Sequence, residues 1–263
     1  MSGVSSSPSV QEANAPKKPT VTWGPVAAII VTLLSFLLAQ LAAGLALAAG
    51  PKLLGWSRAH SDDWLTSVAG QFLFVLLAES LTLGIVWWYA VRRKRATLAA
   101  LGFQRAVRWR DVAYMAVGFV VYLAVVAVVT SWASSQFHID LNQKQELGFD
   151  TVIGTWERLL TFISLVVLPP VVEEIMFRGF LFGGLRRRLS FPIVTLLVSV
   201  IFASLHLLEG AGGLLWVAGI DTFVLSLVLC YVREKTSNLW AGIGIHMLKN
   251  GIAFLYLYVF VAH

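Results

Sequence analysis

The sequence is poor in charge and nearly devoid of cysteine. Only 13% of its 263 residues are Asp, Glu, Lys or Arg, against roughly 25% in an ordinary soluble domain, while 58% are hydrophobic. That balance excludes a water-soluble globular domain and points to a polytopic membrane protein. Cys230 is the sole cysteine, so an internal disulfide and a cysteine-built metal cage are both excluded. In its apolar stretch Cys230 reads as a small packing residue. No internal repeat is evident. The net charge of +6 has no basic soluble domain to carry it, so nucleic acid is not an expected partner.

What is present is a series of long apolar runs. Seven are long enough to cross a core of about 30 Å as helices of around twenty residues. They lie near 24–49, 67–91, 112–133, 157–185, 191–208, 214–232 and 238–261. The expected fold is therefore all-α, a membrane bundle of about seven transmembrane helices. Residues 1–22, rich in Ser, Pro and Ala without apolar periodicity, read as a disordered cytoplasmic tail. Residues 23–154 hold three spans and their loops, and 155–263 hold four more helices.

Basic residues orient the bundle. Arg92, Arg93, Lys94 and Arg95, with Arg105, Arg108 and Arg110, place the second loop in the cytoplasm, and Arg186, Arg187 and Arg188 place the fourth there. The loop at 134–156 carries Asp140, Glu146 and Asp150 against one lysine, which suits the outer face. The N-terminus is thus expected inside and the C-terminus outside, in a cell membrane, with a bacterial plasma membrane the better fit.

Ionisable residues within these spans are the chemical signal, because each costs several kcal/mol in hydrocarbon. Glu173, Glu174 and Arg178 lie in the fourth span, His206 in the fifth and His246 in the seventh. Counted from the cytoplasmic ends, Glu174 is roughly 20 Å deep, His206 roughly 22 Å and His246 roughly 15 Å, so three helices deliver polar groups to one layer. Glu174 and Arg178 are four apart and can pair, whereas Glu173 is rotated by about 100° and is the better candidate base. Phe202 and His206 share a helical face, as do His246 and Asn250. An amide beside an imidazole offers two donors for a developing oxyanion.

Other residues carry plainer readings. Pro169 and Pro170 should kink or restart the fourth helix just before the glutamates, at a point tolerated only inside protein or against a water cavity. Asp221 and Lys249, at matching depth about 10 Å from the outer face, should neutralise one another. Glu79, midway along the second span, reads as a protonated carboxyl bonded to a neighbouring helix, or else as part of a substrate route. Gly179 and Gly183 form a small-residue face for close packing. Trp87, Trp88, Trp109, Trp216 and Trp240 read as interfacial anchors, and His60, His138 and His263 as solvated.

The runs Glu173-Glu174-Ile-Met-Phe-Arg178, Phe202-Ala-Ser-Leu-His206 and His246-Met-Leu-Lys-Asn250 resemble, in order and spacing, the EExxxR, FxxxH and HxxxN motifs of the CPBP family, the CAAX protease and bacteriocin-processing (Abi) intramembrane proteases. The resemblance covers about 155–260. It implies a four-helix catalytic core over 155–263 and a membrane-embedded endopeptidase. It also implies that Glu173 and His206 activate water, that His246 and Asn250 stabilise the tetrahedral intermediate, and that Glu174 and Arg178 support the first motif. The implied substrate is a membrane-associated protein or peptide, prenylated CAAX-type or otherwise.

The family is often labelled metalloprotease, yet this sequence has no HExxH, the helical histidine pair that holds zinc in many proteases. Water activation by glutamate without a metal is the favoured reading. Zinc held by Glu173, His206 and His246 is the alternative, and it would leave Glu174 to act as base while meeting Arg178. A non-catalytic membrane scaffold or immunity protein and a proton-coupled transporter are the rival functions. Intact motif residues favour the enzyme over the scaffold, and the lack of a repeat disfavours the transporter.

Overall fold

The computed structural model describes residues 20–141, 143, 145, 148–149, 152, 154–208 and 213–260. The tail up to residue 19, the carboxylates Glu146 and Asp150, and His263 lie outside the described residues. The described residues build helices and no β-strand: α1 Pro25–Leu53, α2 Arg58–Thr66, α3 Val68–Arg93, α4 Trp109–Phe137, α5 Thr155–Arg186, α6 Phe191–Leu207, α7 Trp216–Thr236 and α8 Trp240–Phe260. Six of them are long and apolar enough to cross a membrane, and α6 is shorter. All seven expected spans are present as helices, so the chain is a polytopic helical bundle.

The short α2 was not expected. Its start was nonetheless written in the sequence: Ser57 caps it by accepting from the His60 N–H at 3.2 Å. His60 therefore lies in a helix rather than a loop, and its ring sits tilted against Trp56 with centroids 4.4 Å apart.

Helix α5 carries the glutamate pair, and its winding alternates. Thr155–Phe162, Leu168–Glu173 and Phe182–Arg186 are α-helical, while Ile163–Val167 and Glu174–Leu181 are wound as π-helix. Pro169 and Pro170 sit in the first turn of the middle α-segment, where a missing N–H is tolerated. The expected restart is present, but it is made by a wide turn and not by broken backbone, so the helix runs on past the prolines.

Close packing fixes α5 in place. A Cβ on Gly179 would stand 2.6 Å from the Leu101 carbonyl oxygen, and one on Gly184 would stand 2.5 Å from the Ala28 Cβ. At Gly183 the nearest atom is 3.6 Å away, ordinary contact. The tight pair is thus Gly179 and Gly184, not Gly179 and Gly183, because the intervening π-turns shift which side chains face the neighbours. Met176, Phe177, Phe180, Leu181 and Leu185 pack with Val194, Val198 and Phe202 of α6 and with Trp23 and Leu101. Trp23 stacks on Phe180 and donates its ring N–H to the Phe180 carbonyl at 2.9 Å.

Polar ties close the end of the bundle where the basic residues gather. Arg186 pairs with Glu234 at 2.8 Å, Arg233 Nε donates to the Arg178 carbonyl at 3.1 Å, and the Leu239 N–H donates to the Gly102 carbonyl at 3.0 Å. Trp240 donates to the Arg105 carbonyl at 2.8 Å, so its ring is tied to the loop before α4. Trp87, Trp88, Trp109 and Trp216 are exposed, in keeping with rings at the edge of a lipid layer.

Candidate functional site

The first motif splits at the boundary between windings. Glu173 ends the α-segment, and Glu174 opens the π-segment. Glu174 and Arg178 are fully buried and paired, Arg178 Nη1 to Glu174 Oε1 at 2.9 Å. The guanidinium lies over the Phe202 ring, 4.5 Å from its centroid, which places a cation on an aromatic face in a dry setting. The other Glu174 oxygen lies against Gly242, where a Cβ would come within 2.8 Å. Only a residue without a side chain lets α8 approach this carboxylate so closely.

His246, 3% exposed, sits between the two glutamates. Its Nδ1 is 3.4 Å from Glu174 Oε1, an ion-pair distance without hydrogen-bond alignment, and its Nε2 is 3.8 Å from Glu173 Oε2. Phe202 lies beside both imidazoles, with centroids 4.6 Å from His206 and 5.9 Å from His246. His206 Nδ1 is 2.9 Å from the Phe202 carbonyl. A carbonyl only accepts, so Nδ1 carries a proton, and in the neutral form of the ring the lone pair is then on Nε2.

Asn250 lies one turn beyond His246 and donates its side-chain N–H to the Leu165 carbonyl at 2.8 Å. In an α-helix that carbonyl would be met by residue 169, and in a π-helix by residue 170; both are prolines and have no N–H. The amide has a second N–H left for a substrate. No single motif marked Leu165 as part of the site. The signal was the pair of prolines, which announces a stranded carbonyl a turn earlier.

Glu173, His206, His246 and Asn250 line one cavity of about 290 Å³. Lys249 also borders it, bound to Asp221 at 3.0 Å, and the Tyr122 hydroxyl donates to Asp221 from α4. The expected Asp221 and Lys249 pair is therefore formed, with a third partner the sequence did not indicate. Glu79 faces the same cavity and has no hydrogen bond or ion pair among the described residues. The reading of Glu79 as bonded to a neighbouring helix does not hold; its carboxyl is on the cavity wall. Phe36 and Gln40 of α1 and Phe74 of α3 complete that wall, so the cavity is not confined to the four helices of 155–263.

Zinc was the alternative for Glu173, His206 and His246. Among the described residues no three His, Cys, Asp or Glu side chains converge closely enough to hold a metal ion. His246 turns one ring nitrogen to each glutamate, and His206 gives its Nδ1 to backbone. The donor set does not fit the metal as arranged.

Comparison with known proteins bears on the same stretch. Residues 155–252 match the family model described as type II CAAX prenyl endopeptidase Rce1-like. A curated Bacillus subtilis (strain 168) protein, described as uncharacterized protein YyaK, is 29% identical over 168 residues. The alignment covers 62% of this chain and 54% of the relative, so the chain spans about half of that protein's length. No solved structure matches.

Proposed function

We propose that this chain, which belongs through residues 155–252 to the CPBP family of CAAX-type intramembrane proteases, is an endopeptidase that hydrolyses a peptide bond of a membrane-associated protein or peptide. The observation that carries this reading is the convergence of Glu173, His206, His246 and Asn250 on one cavity inside the bundle. A transporter would not require the imidazole and amide pair beside the carboxylate.

In the proposed reaction Glu173 takes a proton from a water as its oxygen bonds to the scissile carbonyl carbon. The His206 Nε2 lone pair orients the same water. The carbonyl oxygen becomes an oxyanion, held by the second N–H of Asn250 and by His246 when its Nε2 is protonated. Collapse of the intermediate breaks the C–N bond, and the proton on Glu173 passes to the leaving amine. Glu174 and Arg178 stay paired and take no proton; they fix the helix and the His246 ring beside it.

The reaction so written needs no metal. Purified protein acting on a fluorogenic peptide should keep its activity after exhaustive chelation, and loss that zinc restores would overturn the metal-free route. The proteolytic reading itself is tested with Glu173→Gln, which should lower kcat by about 10²- to 10⁴-fold at unchanged unfolding temperature. Peptide cleavage at the wild-type rate by a folded Glu173→Gln protein would end it. The same variant, used to retain uncleaved partners for mass spectrometry, identifies the substrate. The proposed setting is a plasma membrane, with the basic loops in the cytoplasm.

A further inference from the structure

The cavity occupies one half of the bundle's depth. On α3 its lining runs from Phe74 to Glu79, and on α5 from Ser164 to Glu173; nothing beyond Glu79 or Glu173 contributes from either helix. On α8 it runs the other way, from His246 to Tyr258. At about 1.5 Å per residue, Phe74 is ~9 Å and Glu79 ~17 Å from the Val68 end of α3, and Tyr258 is ~18 Å beyond His246 along α8. Gln145 and Phe149, between α4 and α5, also reach it. All these ends lie on the face away from the basic loops.

Toward the basic loops the way is shut. Met176, Phe177, Phe180, Leu181, Leu101 and Leu239 are under 2% exposed and fill the bundle beneath the glutamates. Beyond them lie the ties of Arg233 to the Arg178 carbonyl and of Leu239 to the Gly102 carbonyl. At the other end Leu257 is 41% exposed and Gln145 is exposed, so among the described residues no comparable plug stands there.

We infer that the catalytic cavity, as the described residues build it, opens at the face opposite the basic loops, so that its substrate is a polypeptide presented on the non-cytoplasmic side of the membrane. Basic loops remain on the cytoplasmic side, and water reaches Glu173 past Tyr258 and Gln145. The side of access stands on the cavity and on the cytoplasmic placement of the basic loops, while the substrate class rests also on the proteolytic reading above.

The chain's own cysteine content makes the test direct. Cys230 is fully buried, so the wild-type protein sets the baseline for a membrane-impermeant thiol reagent. Single cysteines are introduced by Ala253→Cys near the mouth, Ala78→Cys near the floor and Thr97→Cys in the basic loop, each in right-side-out and inverted vesicles. The expected result is labelling of the Ala253→Cys and Ala78→Cys proteins from outside only and of the Thr97→Cys protein from inside only.

Labelling of the two cavity positions from the same side as Thr97→Cys overturns the inference, as does labelling of neither cavity position from any side. If the sides are all reversed, the opening is opposite the basic loops but the substrate class is wrong, and the inference fails. A second measurement needs no variant: wild-type vesicles should cleave an impermeant fluorogenic peptide added outside and not one enclosed within. Outside labelling without cleavage of any peptide would sink the proteolytic reading and leave the access route standing.

Discussion

Asn250 on α8 holds the Leu165 carbonyl that Pro169 and Pro170 strand on α5. An acceptor buried without a donor costs about 1–3 kcal/mol, so the tie docks α8 on α5 next to both glutamates. Asn250→Leu should destabilise the protein by about that amount. Pro169→Ala supplies an N–H able to reach the same carbonyl, so the Asn250→Leu loss should shrink in the Pro169→Ala background. Unfolding temperatures of the four proteins in detergent decide the matter; strictly additive losses would mean that the two sites are not coupled.

Glu174 and Arg178 make a buried ion pair whose value is asymmetric. Removing one partner leaves a charge in the core, so Arg178→Leu should cost about 3–5 kcal/mol. Replacing both, as Glu174→Leu with Arg178→Leu, should cost less than the single change. Arg178→Lys should not rescue, because an ammonium cannot lie flat on Phe202 while reaching Glu174. Chemical unfolding of the single and double variants measures the difference; a double variant worse than Arg178→Leu would refute it.

The glycines of α5 give a contrast within a few residues. Gly179→Ala pushes a methyl into the Leu101 backbone and should cost about 1–3 kcal/mol. Gly183→Ala meets only ordinary contacts and should be neutral or stabilising, since alanine is the better helix former. Equal thermal shifts for the two variants would contradict the packing described.

Asp221 and Lys249 are each about a quarter exposed or less, so their attraction is partly screened. Each single reversal, Asp221→Lys or Lys249→Asp, should lower stability, and the double swap should recover about 1 kcal/mol of the loss. The Tyr122 hydroxyl, which donates to Asp221, loses its acceptor in the swap. Recovery should therefore be incomplete unless Tyr122→Phe is added. A swap no more stable than either single reversal would show that the pair contributes nothing.

The positions of the spans and of the polar residues inside them were legible because hydropathy and charge are local properties of the chain. So was the ion pair within the first motif, since Glu174 and Arg178 at four-residue spacing meet in most helical windings. The π-turns of α5 were not legible. They depend on what the neighbouring helices offer to freed backbone groups, as Asn250 does for Leu165, and one such turn moved the tight packing from Gly183 to Gly184. His246 standing between the two glutamates was also hidden, because it depends on how closely α8 approaches at Gly242, a distance no single helix encodes.

The wall supplied by Phe36, Gln40, Phe74 and Glu79 lies outside the stretch that matches the family. A relative that kept 155–252 and exchanged its leading helices would hold the same reagents in a different mould. On the proposed proteolytic reading, divergence in what such proteins cut can then arise far along the chain from the motifs that they share, and shared motifs alone are a poor guide to a shared diet.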